Sequence, residues 1–180
     1  MTAVRLTTSR LLLREWRQDD LEPFAALNAD PEVMRWFPST RSRAETEEMV
    51  ARVGAELVER GWGLWALEER ASGRFIGFTG LAAPSFAAPF TPAVEVGWRL
   101  ARDAWGHGYA SEAGRAALQH AFGAVGLDEV VSFTARGNAR SRAVMVRLGM
   151  GHDPVDDFDH PLLPVGHPLR PHVLYRIRRP

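Results

Sequence analysis

The sequence contains neither cysteine nor lysine. The first absence removes disulfides, thiolate metal sites and a cysteine nucleophile together. The second leaves all 22 basic residues as arginine, which denies the chain a lysine ammonium for Schiff-base or general-base chemistry. Net charge is missing as well. The arginines balance 22 acidic residues to a formal +0, so no global field favours nucleic acid or an anionic membrane, and a charged partner must be met locally. There is no apolar run of membrane-spanning length, no internal repeat and no signal-peptide pattern at the start, and a cytoplasmic address is the expectation. What remains is 180 residues, 46% of them hydrophobic. That suits one domain over 1–180, burying roughly 70% of the surface its unfolded form exposes.

Along the chain, residues 10–16 read as a strand, and Asp19 and Asp20 offer N-cap oxygens to a helix carrying Leu21, Phe24, Ala25 and Leu27. Ser42-Arg43-Ala44-Glu45 is a capping-box pattern. It opens a helix with Met49, Val50, Val53, Leu57 and Val58 on one face, ending at Arg60-Gly61. Trp62 to Glu68 and Arg74 to Leu81 read as strands joined by the turn Ala71-Ser72-Gly73. Pro84 to Pro92 is too proline-rich for a ladder and reads as an exposed loop. Val94 to Leu100 is a strand, and a helix runs from Ala110 to about Gly126. Glu129 to Arg136 is another strand, Asn138 caps a short helix with Val144, Met145 and Leu148 inward, and His172 to Arg178 is the last strand. Gly151 to Pro171, rich in Pro, Asp and His, shows neither period and reads as a long loop.

The chemistry concentrates in Trp105-Gly106-His107-Gly108-Tyr109-Ala110-Ser111, between a strand and a helix start. There the first helical N–H groups lack intrahelical acceptors and the dipole favours an anion. Glycine lets those amides approach phosphate oxygens, so a pyrophosphate can be held without lysine. The loop is not a Walker sequence, and Ser111 stands where the dinucleotide fingerprint needs its third glycine. Nucleotide hydrolysis and hydride transfer are thereby disfavoured.

Val94-Glu95-Val96-Gly97-Trp98-Arg99-Leu100 followed by that loop resembles motif A of the GNAT acetyltransferases, most closely the ribosomal-protein-alanine (RimJ/RimL-like) branch. The branch also carries the pattern seen here as Asn138, Ser141 and Leu148-Gly149. The resemblance implies an α/β (α+β) domain with a central mixed, mostly antiparallel, twisted sheet, splayed at the cofactor and flanked by helices. It implies acetyl transfer from acetyl-coenzyme A to a primary amine by direct attack in a ternary complex. The acceptor would be a protein N-terminus or a small amine; a different short acyl donor, a metabolite or antibiotic acceptor, and a non-catalytic acyl-coenzyme A-binding module are the rivals, and a homodimer stays open. The backbone of Trp98, Arg99 and Leu100, the loop 105–111, Asn138 and Ser141 would hold the cofactor. Two departures stand out: Trp105 replaces the usual Gln or Arg, and Met145 falls where many relatives place a proton-donating tyrosine.

Ser141 therefore becomes the candidate proton donor to the departing thiolate, although a hydroxyl there also suits support of the Asn138 cap. Glu95, the one carboxylate on the strand leading into the loop, is the candidate base, acting through water. An α-amine with a pKa of about 7.7–8.0 needs less help than a lysine near ~10.4, which favours the former. His152, His160, His167 and His172 with Asp153, Asp156, Asp157 and Asp159 have ligand chemistry but no helix-face spacing. They read as a substrate-shaping lid and not as a metal site.

Overall fold

The computed structural model describes residues 4–180. Its strands are β1 (Leu6–Thr7), β2 (Leu11–Arg14), β3 (Leu64–Glu69), β4 (Arg74–Ala82), β5 (Glu95–Leu100), β6 (Glu129–Ala135), β7 (Gly151–His152), β8 (Phe158–Asp159) and β9 (Pro171–Arg178). Its helices are α1 (Leu21–Ala29), α2 (Arg43–Arg60), α3 (Tyr109–Gly123) and α4 (Ala139–Arg147). One open sheet runs β1-β2-β3-β4-β5-β6-β9-β7, with β8 also on β9. Every pairing is antiparallel except that of β5 with β6.

The helices take opposite faces because the strands alternate. Phe75, Phe78 and Ala66 meet Phe24, Leu27, Met49 and Val53 of α1 and α2. Val96, Leu100, Val130 and Val173 meet Ala113, Ala117 and Ala121 of α3 and Met145 of α4. A Cβ on Gly114 would come within 2.9 Å of Leu148 Cδ1, so glycine there sets how closely α3 and α4 approach. The predicted capping box forms at α2: the Ser42 hydroxyl accepts from the Glu45 N–H at 3.2 Å and the Glu45 carboxylate from the Ser42 N–H at 2.7 Å. Such a cap contributes about 1 kcal/mol.

Three expectations change. Asp20 does not cap α1 with its side chain; its carboxylate accepts from both Arg14 Nη atoms at 2.7 and 2.8 Å and from the Arg17 N–H at 2.8 Å. A buried arginine competes better for that acid than a helix amide does, because the bond is charge-assisted and bidentate. The helix expected from Ala110 begins at Tyr109 and stops at Gly123, short of Gly126, which adopts φ 78°. Residues 151–171 are not a plain loop: β7 and β8 each pair with β9. Two-residue strands are too short for alternation to register in a sequence.

Candidate active site

β5 and β6 meet at a single residue pair, Glu95 with Val131, and the Val131 N–H donates to the Val94 carbonyl at 2.9 Å. One residue further on, the Ser132 hydroxyl takes the Val96 carbonyl at 2.8 Å. Beyond that the two strands part. Backbone groups alternate sides along a strand. Val94 and Val96 face β6, and the Ala101 N–H bonds Ile76 of β4 at 2.9 Å. It follows that Trp98 turns its N–H and C=O into the gap, while those of Arg99 face β4. The carbonyl of Leu100 is taken by the Trp105 indole N–H at 3.0 Å. Of the three residues expected to line the cofactor through their backbone, Trp98 has both groups without a partner among the described residues.

The gap leads to the loop before α3. Gly106 and Gly108 adopt φ 81° and 79°, the left-handed region where a side chain would be strained. Helical bonding begins with the Glu112 N–H on the Gly108 carbonyl at 3.0 Å. Among the described residues, none of the amides from 106 to 111 has an acceptor, and the buried Ser111 hydroxyl is also unpartnered. A run of free donors at a helix N-terminus fits the pyrophosphate of a coenzyme A. His107 stacks on Tyr109 with centroids 5.6 Å apart.

Two arginines that the sequence did not single out flank this loop. Arg10 Nη2 would lie 3.6 Å from a Cβ on Gly108, and Arg10 Nη1 donates to the His107 carbonyl at 2.9 Å. The Arg140 guanidinium sits 4.4 Å over the Trp105 ring. Trp105, which departs from the family pattern, is therefore a platform for a cation from α4. Arg10 is tied to Glu112, whose carboxylate also accepts from Thr8, Ser9 and the Arg10 N–H. These bonds hold Glu112 down at about 2 against the opposing effect of its burial.

Glu95 is partly buried and its carboxyl has no hydrogen bond or ion pair among the described residues; desolvation pushes its pKa up to about 7. On the facing side of the gap, Asn138 caps α4: its side-chain oxygen accepts from the Ser141 N–H at 3.3 Å, and its NH₂ donates to the Ser141 hydroxyl at 3.1 Å. The structural role weighed for Ser141 is thus present. It does not use up the residue, because an accepting hydroxyl keeps its own proton, and no acceptor among the described residues takes it. Met145 is buried in the core and offers no proton. Neither tyrosine substitutes. The Tyr109 hydroxyl donates to Glu69 at 2.5 Å, and Tyr175 is buried against His152.

The histidines separate. His152 bonds Asp157 at 2.8 Å, and the His167 ring accepts from the Leu169 N–H at 3.1 Å. His160 and His172 lie 4.9 Å apart in a cluster with Phe86, Phe90, Phe133 and Phe158. Burial lowers the pKa of both, so they join the rings as neutral, largely apolar partners. This cluster fastens the Pro84–Pro92 loop to β6 and β9.

Residues 10–151 match the Acetyltransferase (GNAT) domain, and the chain belongs to that family, whose enzymes use acetyl-coenzyme A. It is 34% identical over 154 residues to an Aspergillus fumigatus protein named FsC-acetyl coenzyme A-N(2)-transacetylase, covering 82% of this chain and 65% of that one. The fold superimposes on an acetyltransferase from Agrobacterium tumefaciens with a TM-score of 0.78 at 27% identity, covering 99% and 96% of the two chains. It also matches RimL, a ribosomal L7/L12 alpha-N-protein acetyltransferase solved with coenzyme A, with a TM-score of 0.76 at 16% identity over 97% and 98%. Among the described residues no helix is long and apolar enough to cross a membrane.

Proposed function

We propose that residues 1–180 act as one domain that transfers acetyl from acetyl-coenzyme A to an α-amine, a protein N-terminus in the manner of the RimJ/RimL-like branch. One observation carries the reading. The desolvated carboxyl of Glu95 at the last β5–β6 pair, the backbone of Trp98 in the opening beyond it and the amides of the 106–111 loop follow one another in the chain, the backbone groups without partners among the described residues. The pyrophosphate would sit on the loop amides and Ser111, and the pantetheine amides would pair with Trp98 as an added strand does. Arg10 and Arg140 add positive charge at the rim. Glu95 takes the amine's proton through water as the amine attacks the thioester carbonyl; the C–S bond then breaks, the thiolate takes a proton from the Ser141 hydroxyl, Ser141 regains one from solvent water as it does so, and Glu95 returns the amine's proton to solvent. A base at about 7 lies within roughly one unit of an α-amine and three below a lysine, so it serves the first far better.

A small-molecule amine is the second reading, favoured by the name of the Aspergillus relative, which specifies an N(2) position. Release of free thiol, measured over a panel of peptide α-amines, blocked peptides with free ε-amines and small amines, decides between them. Turnover of the α-amine peptides is the expected result, and turnover confined to ε-amines overturns it. Gly108→Glu should raise the acetyl-coenzyme A Kd at least tenfold, because it sets a carboxylate against the pyrophosphate. Unchanged affinity in a folded variant would remove the loop from the site.

A further inference from the structure

Arg99 has an unusual environment for a guanidinium. It is 7% exposed, yet among the described residues it meets no carboxylate. Nη1 donates to the Asn28 side-chain oxygen at 2.7 Å, buried Nε has no acceptor, and Nη2 forms no bond within the described residues. Nε and Nη2 make up the side-on edge that takes a carboxylate through two parallel hydrogen bonds. The charged neighbour acting on it is another cation, Arg41, whose own N–H is anchored on the Asn28 carbonyl at 3.0 Å. Phe37 covers one face of the Arg99 guanidinium at 4.1 Å and Phe78 lies 5.4 Å away. Phe37 is itself 36% exposed, so the cover is thin. A buried cation without a counter-charge is unfavourable, and a second cation beside it makes it more so. An arriving anion removes both penalties.

The position of Arg99 gives that anion a direction. Side chains alternate along β5, so Glu95, Gly97 and Arg99 share the face turned toward α1 and α2. Between the two charged residues, a Cβ on Gly97 would meet nothing within 4 Å. The floor between Glu95 and Arg99 is open, and four residues of strand span on the order of 13 Å.

We propose that Arg99 and Arg41 form an anion subsite for the acceptor, whose amine is placed at Glu95 and whose carboxylate lies a few residues of extended chain away. The acceptor class is a protein N-terminus with Asp or Glu within its first four residues. This rests on the α-amine reading above and adds what that amine is attached to. The acceptor lies along β5 over Gly97, its carboxylate passes beneath Phe37, and the Nε–Nη2 edge of Arg99 receives it while Nη1 stays on Asn28.

The test uses free-amine hexapeptides that differ only in one Asp or Asn at position two, three or four. At one of these positions the wild-type kcat/KM ratio of Asp to Asn peptide should exceed ten. In Arg99→Gln, and separately in Arg41→Gln, it should collapse toward one. Arg41 lies on the surface, so its variant keeps the test open should Arg99→Gln fail to fold. The N-acetylated forms of the same peptides, titrated calorimetrically into protein saturated with coenzyme A, should show the same preference with no turnover involved. A ratio near one for every pair, or a preference surviving in both variants, overturns the subsite and leaves α-amine transfer standing. Absence of turnover on all peptides overturns α-amine transfer, and the acetylated pairs then still decide for or against the subsite.

Discussion

Glu95 combines two properties that are separable by pH. Its pKa is raised by burial to about 7 from an unfolded value near ~4.3, so the folded chain holds this proton more tightly. The associated stability is complete below pH ~4 and is lost as pH rises through 7, by at most about 4 kcal/mol. Glu95→Gln should therefore be more stable than wild type at pH 8 and indistinguishable from it below pH 4, by denaturant titration. Catalysis runs the other way. If Glu95 is the base, as proposed, wild-type kcat/KM needs Glu95 ionised and the amine neutral, so log kcat/KM should climb with a slope approaching two below pH 7. The variant should fall about tenfold at neutral pH, climb with a slope of one and recover as the amine deprotonates. Identical profiles would remove Glu95 from the reaction. Ser141→Ala separates the two roles of that hydroxyl: a proton donor predicts loss of kcat with cofactor affinity retained, whereas a cap alone predicts a fall in stability of ~1 kcal/mol and no change in kcat. Both residues were candidates from the sequence, Glu95 as the one carboxylate on the strand before the loop and Ser141 because Met145 takes the place of a tyrosine; their roles in the reaction rest on these experiments. Arg10, Arg41 and Arg140 were not, since 22 arginines in one chain give no single one a signal until the fold places it.

Among the elements, the N-terminus of α3 has the most demanding surroundings. Its free amides must stay free, so something other than their own bonding has to hold the turn in place. Glu112 does this from within the first turn, collecting Thr8, Ser9 and both the side chain and the N–H of Arg10. Glu112→Gln should lower stability by about 1–2 kcal/mol at pH 7. Because the Glu112 carboxyl is held down at about 2, its contribution is complete above pH ~4 and disappears as pH falls toward 2; the gap between variant and wild type should close over that range. A gap that persists at pH 2 would show that shape and not charge makes the clamp. Strand β5, the 106–108 turn and the cap of α4 were legible because glycine, asparagine and apolar alternation all act locally. The pairing of β7 and β8 with β9 was not, because it depends on partners 12 to 25 residues away and leaves no periodic trace.

At the scale of the whole molecule, the opening between β5 and β6 divides the sheet. The strands of one part come from residues 6–100 and those of the other from residues 129–178. If coenzyme A lies along Trp98 as proposed, it supplies rungs that the sheet lacks, so the Trp98 amide should gain hydrogen-exchange protection of at least tenfold on saturation with coenzyme A, while amides shared by β3 and β4 change little. Equal protection everywhere would mean that the ligand stabilises the fold globally and does not bridge the gap. The division has one more consequence. Since each portion keeps its own antiparallel ladders, and α3 carries the chain between them before the turn at Gly126, the polypeptide is laid out as two consecutive pieces meeting at the proposed coenzyme A site. A nick in that turn should leave fragments able to reassociate, with acetyl-coenzyme A acting as the splint that selects the reassembled enzyme.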